Sequence, residues 1–480
     1  MSREIAAGRR LNLIAWLCAF APGLAAVAAV PPPALPRTPA APAVAALTST
    51  ASTPAAAVGS APLPAGAPAA STPVAAPPIA DADPLTVEVL TFGPGQHPFT
   101  RFGHNAIRVI DRQAGTDVVY NFGTFIFDSP RLLVDFLKGR LRYWLSRASM
   151  AATMRMYQRE DRDIETQELE LTPGQKRELV TRLEVNARPE NRDYRYDYFA
   201  DNCSTRVRDA IDGVMQGRLR ASAVGQGTMT LRAHALRMAA DDLPLYTALL
   251  IVLGPRSDRP VDEWAEDFLP EMLQRTLRNA ESLPAGDTWL TGPGGDRAAA
   301  ARTGHLVKSE RVLFADDRPA PRREPPNRLP AFLGVGVAAG VLLFLLGRLG
   351  RRWVLARLVF GLLVSALGLF LGGIGCFLVG SWAFTPHAVV YRNENIMLFA
   401  PFAITLAILG LGTAFGSKGA TRKAFLVAAA ALGFAFAGCA LKMFPWSRQD
   451  NSALLLMMLP FWWGLTAGTR AVGLHGEPRD

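Results

Sequence analysis

Five apolar segments in the last third of the chain constrain its fold more than anything else, at about 330–347, 358–380, 396–414, 424–441 and 452–468. Each is close to the ~20 residues that a helix needs to cross the hydrocarbon core of a bilayer. Inside a bilayer such segments must be helical, because each amide then finds its partner within its own segment. The loops between them carry unequal charge. Those after the first, third and fifth segments hold Arg348, Arg351, Arg352, Arg357, Lys418, Arg422, Lys423, Arg470 and Arg479. The other two loops hold Arg392, Lys442 and Arg448. The positive-inside rule puts the first set in the cytoplasm and everything before the first segment outside.

The N-terminus gives the same orientation independently. Arg3, Arg9 and Arg10 precede an apolar run from Leu11 to Val30, so residues 1–30 read as a signal peptide or signal anchor, with Ala26-Val27-Ala28 as a cleavage site. Cys18 follows Ala15-Trp16-Leu17 and lacks the small residue that a lipoprotein signal places before its cysteine. Residues 31–84 are rich in Ala, Pro, Thr and Ser and nearly uncharged. Such a stretch cannot bury enough surface to offset its ordering entropy and reads as a disordered, semi-extended linker. Residues 85–325 form the exported domain, and 330–470 a membrane domain of five transmembrane helices.

The net charge of +10 is not gathered in one block and no nucleic-acid motif accompanies it, so it reads as membrane topology, without a nucleic-acid partner. Of the four cysteines, Cys18, Cys376 and Cys439 lie in apolar segments. Cys203 therefore has no disulfide partner in the exported domain, and no Cys/His spacing suggests zinc.

Cys203 sits where a polar stretch gives way to a helical pattern, with Val207, Ile211 and Val214 on one apolar face. Asp201 or Asn202 is the expected N-cap. A thiol in the first turn faces unpaired N–H groups and the helix dipole, which favour the thiolate. The alternative is a buried, inert cysteine.

Upstream, Leu85–Leu90, Phe102–Ile110 and Asp117–Gly123 read as strands. A hairpin centred near Ala114 brings Asn121 roughly opposite His104, the one histidine of six on an expected core strand. A catalytic imidazole needs such a group on its far nitrogen. Gly103 beside it suggests close approach of another group. A helix is expected after Ser129-Pro130, a strand over Leu141–Leu145, a helix over Met150–Arg159, and a strand over Ile164–Leu171. Thr172-Pro173-Gly174-Gln175 opens a further helix as N-cap, first position and capping-box partner. Tyr196, Tyr198 and Phe199 read as packing residues. Thr230–Ala239, Pro244–Leu253, Val261–Leu269 and Pro270–Leu277 are expected helices, and Leu283–Arg297 a loop. The polar loop from Pro386 to Asn395, with His387, Glu394 and Asn395, would face the exported domain and could meet a lipid headgroup or a lipidated peptide.

His on one strand, Asn on the next and Cys opening a helix is the parts list of a cysteine nucleophile, in an order opposite to papain. The expected fold is α+β, a circularly permuted papain-like (NlpC/P60-type) domain followed by the five-helix bundle. Leu90-Thr-Phe-Gly-Pro-Gly95, Arg101-Phe-Gly-His104-Asn-Ala-Ile-Arg108, Tyr120-Asn-Phe-Gly-Thr-Phe125, Tyr196-Asp-Tyr-Phe199 and Asp201-Asn-Cys-Ser-Thr-Arg-Val-Arg-Asp209 together resemble the periplasmic domain of the Lnb family, over roughly 85–280. The long Ala/Pro spacer departs from that family.

The resemblance implies a lipoprotein N-acyltransferase of the inner membrane. Cys203 would be the nucleophile, His104 its base and Asn121 the orienting group. Asn202, Arg101, Asn105, Arg206, Tyr143, His387, Glu394 and Asn395 are the candidate substrate-binding residues. The donor would be a phospholipid, the acceptor a lipoprotein N-terminus, and no metal or organic cofactor is called for. A papain-like hydrolase of cell-wall peptides or lipid esters, and a non-enzymatic envelope scaffold, remain the alternatives at this point.

Overall fold

The computed structural model describes residues 83–125, 142–281 and 304–473. Expectations for the signal segment, nearly all of the linker, the helix after Ser129 and the loop from Leu283 to Arg297 fall outside these residues.

The N-terminal part is built on a sheet of seven strands, β1 (Leu85–Phe92), β2 (His104–Asp111), β3 (Thr116–Thr124), β4 (Arg142–Ser149), β5 (Ile164–Leu169), β6 (Asp193–Arg195) and β7 (Val307–Phe314). Their order is β6-β4-β3-β2-β1-β5-β7, and every neighbouring pair is antiparallel. The expected hairpin of β2 and β3 is present, with Ile107 paired to Tyr120, and on its other edge β2 pairs with β1, His104 with Phe92.

Among the described residues, thirteen α-helices accompany the sheet: α1 (Met150–Arg159), α2 (Pro173–Asn186), α3 (Cys203–Val214), α4 (Arg218–Ser222), α5 (Leu231–Met238), α6 (Leu243–Val252), α7 (Glu263–Glu266), α8 (Pro270–Asn279), α9 (Leu329–Gly350), α10 (Val354–Phe384), α11 (Leu406–Ala414), α12 (Lys418–Leu441) and α13 (Ser452–Gly473). The capping box of α2 forms as the sequence predicts, with Thr172 accepting from Gln175 N–H and Gln175 accepting from Thr172 N–H.

Two apolar clusters sandwich the sheet. On one face Val87, Val89, Ile107, Tyr120 and Phe122 pack against Leu179 and Leu183 of α2, Val207 and Ile211 of α3, and Leu273 and Leu277 of α8. On the other, Leu90, Phe92, Ala106 and Val119 pack against Met150 and Tyr157 of α1. The alternation in β1 suggests a strand with one wet face, but every residue of β1 is buried. Its Glu88 is satisfied by Arg108 at 2.8 Å and by Arg311 of β7. Burial of that carboxylate is tolerable because both partners reach it. Val261–Leu269 shortens to a single turn of helix, Glu263–Glu266.

Among the described residues, α9, α10, α12 and α13 are long and apolar enough to cross a membrane. The pair Ala388–Met397 and Pro401–Ala414, bent by 62°, makes a fifth if the two together are one span. The third apolar segment is thus broken rather than continuous. Pro401 has no N–H to donate and disfavours helix at the residue before it. The broken segment nonetheless runs antiparallel to α10, with Phe399 against Gly375, Ile404 against Gly372, Leu406 against Gly368 and Ala414 against Gly361. That is about 21 Å of helix at 1.5 Å per residue. It ends where a side chain on Gly416 would lie 3.2 Å from the Arg357 guanidinium, at the arginine-rich end of α10. The chain follows α10 from Gly375 to Gly361 without turning back over that stretch.

The bundle holds the sheet domain through α6, which is apolar on all sides. Tyr246 and Leu250 of α6 lie in one cluster with Phe399, Leu454 and Met458. The last carbonyls of a helix have no partner within it. Here loops of the bundle supply the donors. Asn395 Nδ2 donates to Leu250 and Ile251, Asn393 Nδ2 to Ile251 and Val252, and Gln449 Nε2 to Leu253. Asn451 donates to Asn395 Oδ1, and Lys442 pairs with Glu394. Asn395→Leu removes donors from two buried carbonyls and the acceptor of Asn451. It is expected to cost on the order of 3 kcal/mol, read as a lower melting temperature of the full chain in detergent. An unchanged melting temperature would mean that the loops touch α6 without holding it.

Candidate active site

The site lies where three strand ends meet the start of α3. Asn202 is the N-cap of that helix. Its Oδ1 accepts from Thr205 N–H at 3.0 Å, and its own N–H donates to Thr205 Oγ1 at 2.8 Å. Its amide also donates to the carbonyls of Tyr198 and Phe268. Asn202 is therefore a structural cap, buried at 4% exposure, and not a substrate contact as the sequence suggested. The cap fixes Cys203 as the first residue of α3.

His104 approaches from the other side of the sheet. Its ring stacks on Phe92, with centroids 5.9 Å apart, and Phe92 in turn on Tyr157. Its Nε2 lies 2.5 Å from Asn121 Oδ1. An amide oxygen only accepts, so Nε2 carries the proton and Nδ1 is left to the thiol. Burial works against an imidazolium at His104, but the Cys203 charge, its hydrogen bond and the Asn121 contact outweigh it and raise the His104 pKa. At Cys203, burial pushes the thiol up. The His104 charge and hydrogen bond, the Asn105 backbone N–H and the Ser204 hydroxyl bring it down, from 9.0 to about 7. The two groups favour a thiolate–imidazolium pair.

Gly123 allows the two to meet. At φ +90°, its backbone conformation is one that residues with a side chain rarely adopt, and β3 slips register against β4 between Asn121 and Thr124. A methyl group there would lie 3.5 Å from Cys203 Cβ, 3.6 Å from His104 Cε1 and 3.9 Å from the Tyr194 hydroxyl. Gly103 (φ +80°) shows the close approach that the sequence suggested: a side chain there would lie 2.9 Å from the Phe92 carbonyl oxygen and 3.2 Å from Pro270 Cγ.

The remaining candidates divide. Tyr143 is at the site, stacked on Tyr196 at 4.1 Å; burial and then the Cys203 charge hold its phenol well above the ordinary range. Arg206 is paired with Asp201 and lies over the Tyr194 ring, 4.1 Å from its centroid. The Asn105 side chain is fully buried and donates to Leu90 O and Thr91 Oγ1, so only its backbone N–H serves the sulfur. Arg101 links the carbonyl of Gln96 to Asp242, the N-cap of α6. Glu394 and Asn395 belong to the contact between bundle and sheet domain, and Asn395 is wholly buried. His387 accepts from Val390 N–H through its carbonyl in the same loop. Sequence reasoning missed Gly123 and Tyr194. Gly123 stands in a motif already singled out and Tyr194 two residues before another, but their roles depend on register. Tyr198 and Phe199 pack with Phe268 and Leu269, as expected of packing residues.

Residues 78–237 match the family model of the Lnb N-terminal periplasmic domain, a stretch that contains His104, Asn121 and Cys203. No curated protein and no solved structure matches the chain.

The pKa directions predict how Cys203 reacts. Alkylation of the Cys203 peptide by iodoacetamide should rise with pH through about 7, as the thiolate forms. His104→Ala leaves burial unopposed by the imidazole and should move the rise above 9.0, the ordinary thiol value, with Asn121→Ala in between. An identical profile in His104→Ala would remove the imidazole from the account.

Proposed function

We propose that this chain, which carries apolar helices able to cross a membrane and whose residues 78–237 match the model of the Lnb N-terminal periplasmic domain, is a cysteine acyltransferase of the inner membrane. The observation that carries this reading is the Cys203–His104–Asn121 arrangement, with Cys203 buried, in a domain hydrogen-bonded to the membrane bundle through α6. In this reading residues 85–325 form a permuted papain-like catalytic domain, carried by a signal segment and a spacer on one side and five spans on the other. The order of His strand, Asn strand and Cys helix, with α3 packed on an antiparallel sheet, supports it.

The proposed reaction has two halves. The Cys203 thiolate attacks an ester carbonyl of a phospholipid, and His104 delivers the proton to the departing lysophospholipid. The acyl chain is then a thioester on Cys203. The N-terminal amine of a diacylglyceryl-cysteine lipoprotein attacks that thioester, with His104 now taking the amine proton. Attachment to the bundle supports this choice over a soluble cell-wall substrate, because both lipidated partners diffuse in the same plane.

Mass spectrometry of the Cys203 peptide, from protein purified with native lipids, tests the first half. A fatty-acyl mass that hydroxylamine removes is expected, absent from His104→Ala. Cys203→Ala and Cys203→Ser should lower transfer at least about a thousandfold while the protein still inserts. Wild-type transfer by Cys203→Ala would end this reading.

A further inference from the structure

Tyr194 lies on the short edge strand β6, paired with Tyr143 of β4. Its hydroxyl is buried and has no hydrogen-bond partner among the described residues. Buried polar groups are rarely left so, and each instance asks for an explanation. The hydroxyl borders the space above Gly123, which Cys203 and His104 border as well, at 3.9, 3.5 and 3.6 Å from the same point. The ring is fixed from behind. The Arg206 guanidinium lies 4.1 Å from its centroid and is itself held by both oxygens of Asp201. A cation over the face draws electron density from the ring and makes the O–H a stronger donor. Burial, and then the Cys203 charge, raise the phenol above its ordinary range, so it keeps its proton at neutral pH. The Tyr198 hydroxyl is also unpartnered, but its ring packs among Phe102, Phe199 and Phe268.

We infer that the Tyr194 hydroxyl is an oxyanion donor of this centre, acting with the Cys203 backbone N–H at the start of α3; the inference rests on the acyl-transfer reading above. When Cys203 Sγ bonds to the ester carbonyl carbon, the carbonyl π pair moves onto oxygen. Tyr194 O–H and the Cys203 N–H donate to that oxygen. The pair then returns, the bond from carbon to the alcohol oxygen breaks, and His104 protonates the alcohol. Tyr194 keeps its proton throughout. Attack on the thioester passes through the same oxyanion.

The test uses the full chain in detergent and a p-nitrophenyl fatty ester, following the burst of p-nitrophenolate as Cys203 is acylated. Tyr194→Phe keeps the ring under Arg206 and removes only the hydroxyl. The burst rate should fall on the order of 10²-fold. The melting temperature and the pH profile of Cys203 alkylation should not move, because the hydroxyl has no bond to lose in the resting protein. A burst at the wild-type rate would overturn the inference. So would a slow burst joined to a lower melting temperature or a displaced alkylation profile, since Tyr194 would then be a packing residue. If wild type and Cys203→Ala release p-nitrophenolate alike, the acyl-transfer reading fails and Tyr194 falls with it. A Cys203-dependent burst that ignores Tyr194→Phe removes only the donor.

Discussion

Cys203 and the half-buried His104, each of which favours the other's charged form, set the terms for the site of the periplasmic domain. Burial alone drives a thiol up and an imidazole down, towards two neutral groups. Here both move the other way, so their attraction outweighs desolvation. Such a pair exists only where both side chains are held in place, because a rotation that separates them restores the full penalty of burial. His104 is locked by its stack on Phe92 and by Asn121. Cys203 is locked by being the first residue of a helix whose cap is itself immobilised.

That cap carries more than its helix. Asn202 joins Thr205 of α3, the carbonyl of Tyr198 and the carbonyl of Phe268 in one buried knot. The start of α3 is thereby tied both to the aromatic stretch before it and to the segment that leads into α8. A generic N-cap such as Ser would satisfy a first-turn N–H but could not reach two outside carbonyls at once. The amide of Asn, with two donors and an acceptor, can. The identity of the capping residue is thus set by tertiary contacts and not by helix propensity.

What could be read in the sequence follows the range of the forces involved. The α2 capping box, the start of α3 and the β2–β3 hairpin rest on residues within a few positions of one another, and the chain spells them out. The His104–Asn121 contact was within reach because a hairpin converts sequence distance into register. β7 was not foreseen, since Val307–Phe314 alternates poorly and its partner β5 lies more than a hundred residues earlier. Asn395 looked like a polar surface residue, and only the placement of α6 makes it a buried donor. Gly123 stands inside a recognisable motif, yet nothing local marks it as the point where the two faces of the sheet exchange side chains. Helix signals survive without context, whereas the site depends on which strands become neighbours.

The membrane bundle enters this logic through hydrogen bonds as well as apolar contact. Asn393, Asn395 and Gln449 cap the end of α6. Arg232 of α5 reaches the carbonyl of Leu253 and pairs with Asp258. His234 of α5 bonds Glu266 at 2.8 Å, and two residues on, Phe268 presents its carbonyl to Asn202. Polar contacts joined by the backbone of α5 and of residues 266–268 therefore lie between the loops of the bundle and the residue beside Cys203. An unpaired group among them would be costly, because water does not reach to replace the missing partner. Apolar packing alone would let the domain slide or rock on the bundle, since such contacts are non-directional. Directional bonds to the end of one helix fix both height and orientation. Under the acyl-transfer proposal, a thiolate that is to meet a lipid ester needs both fixed.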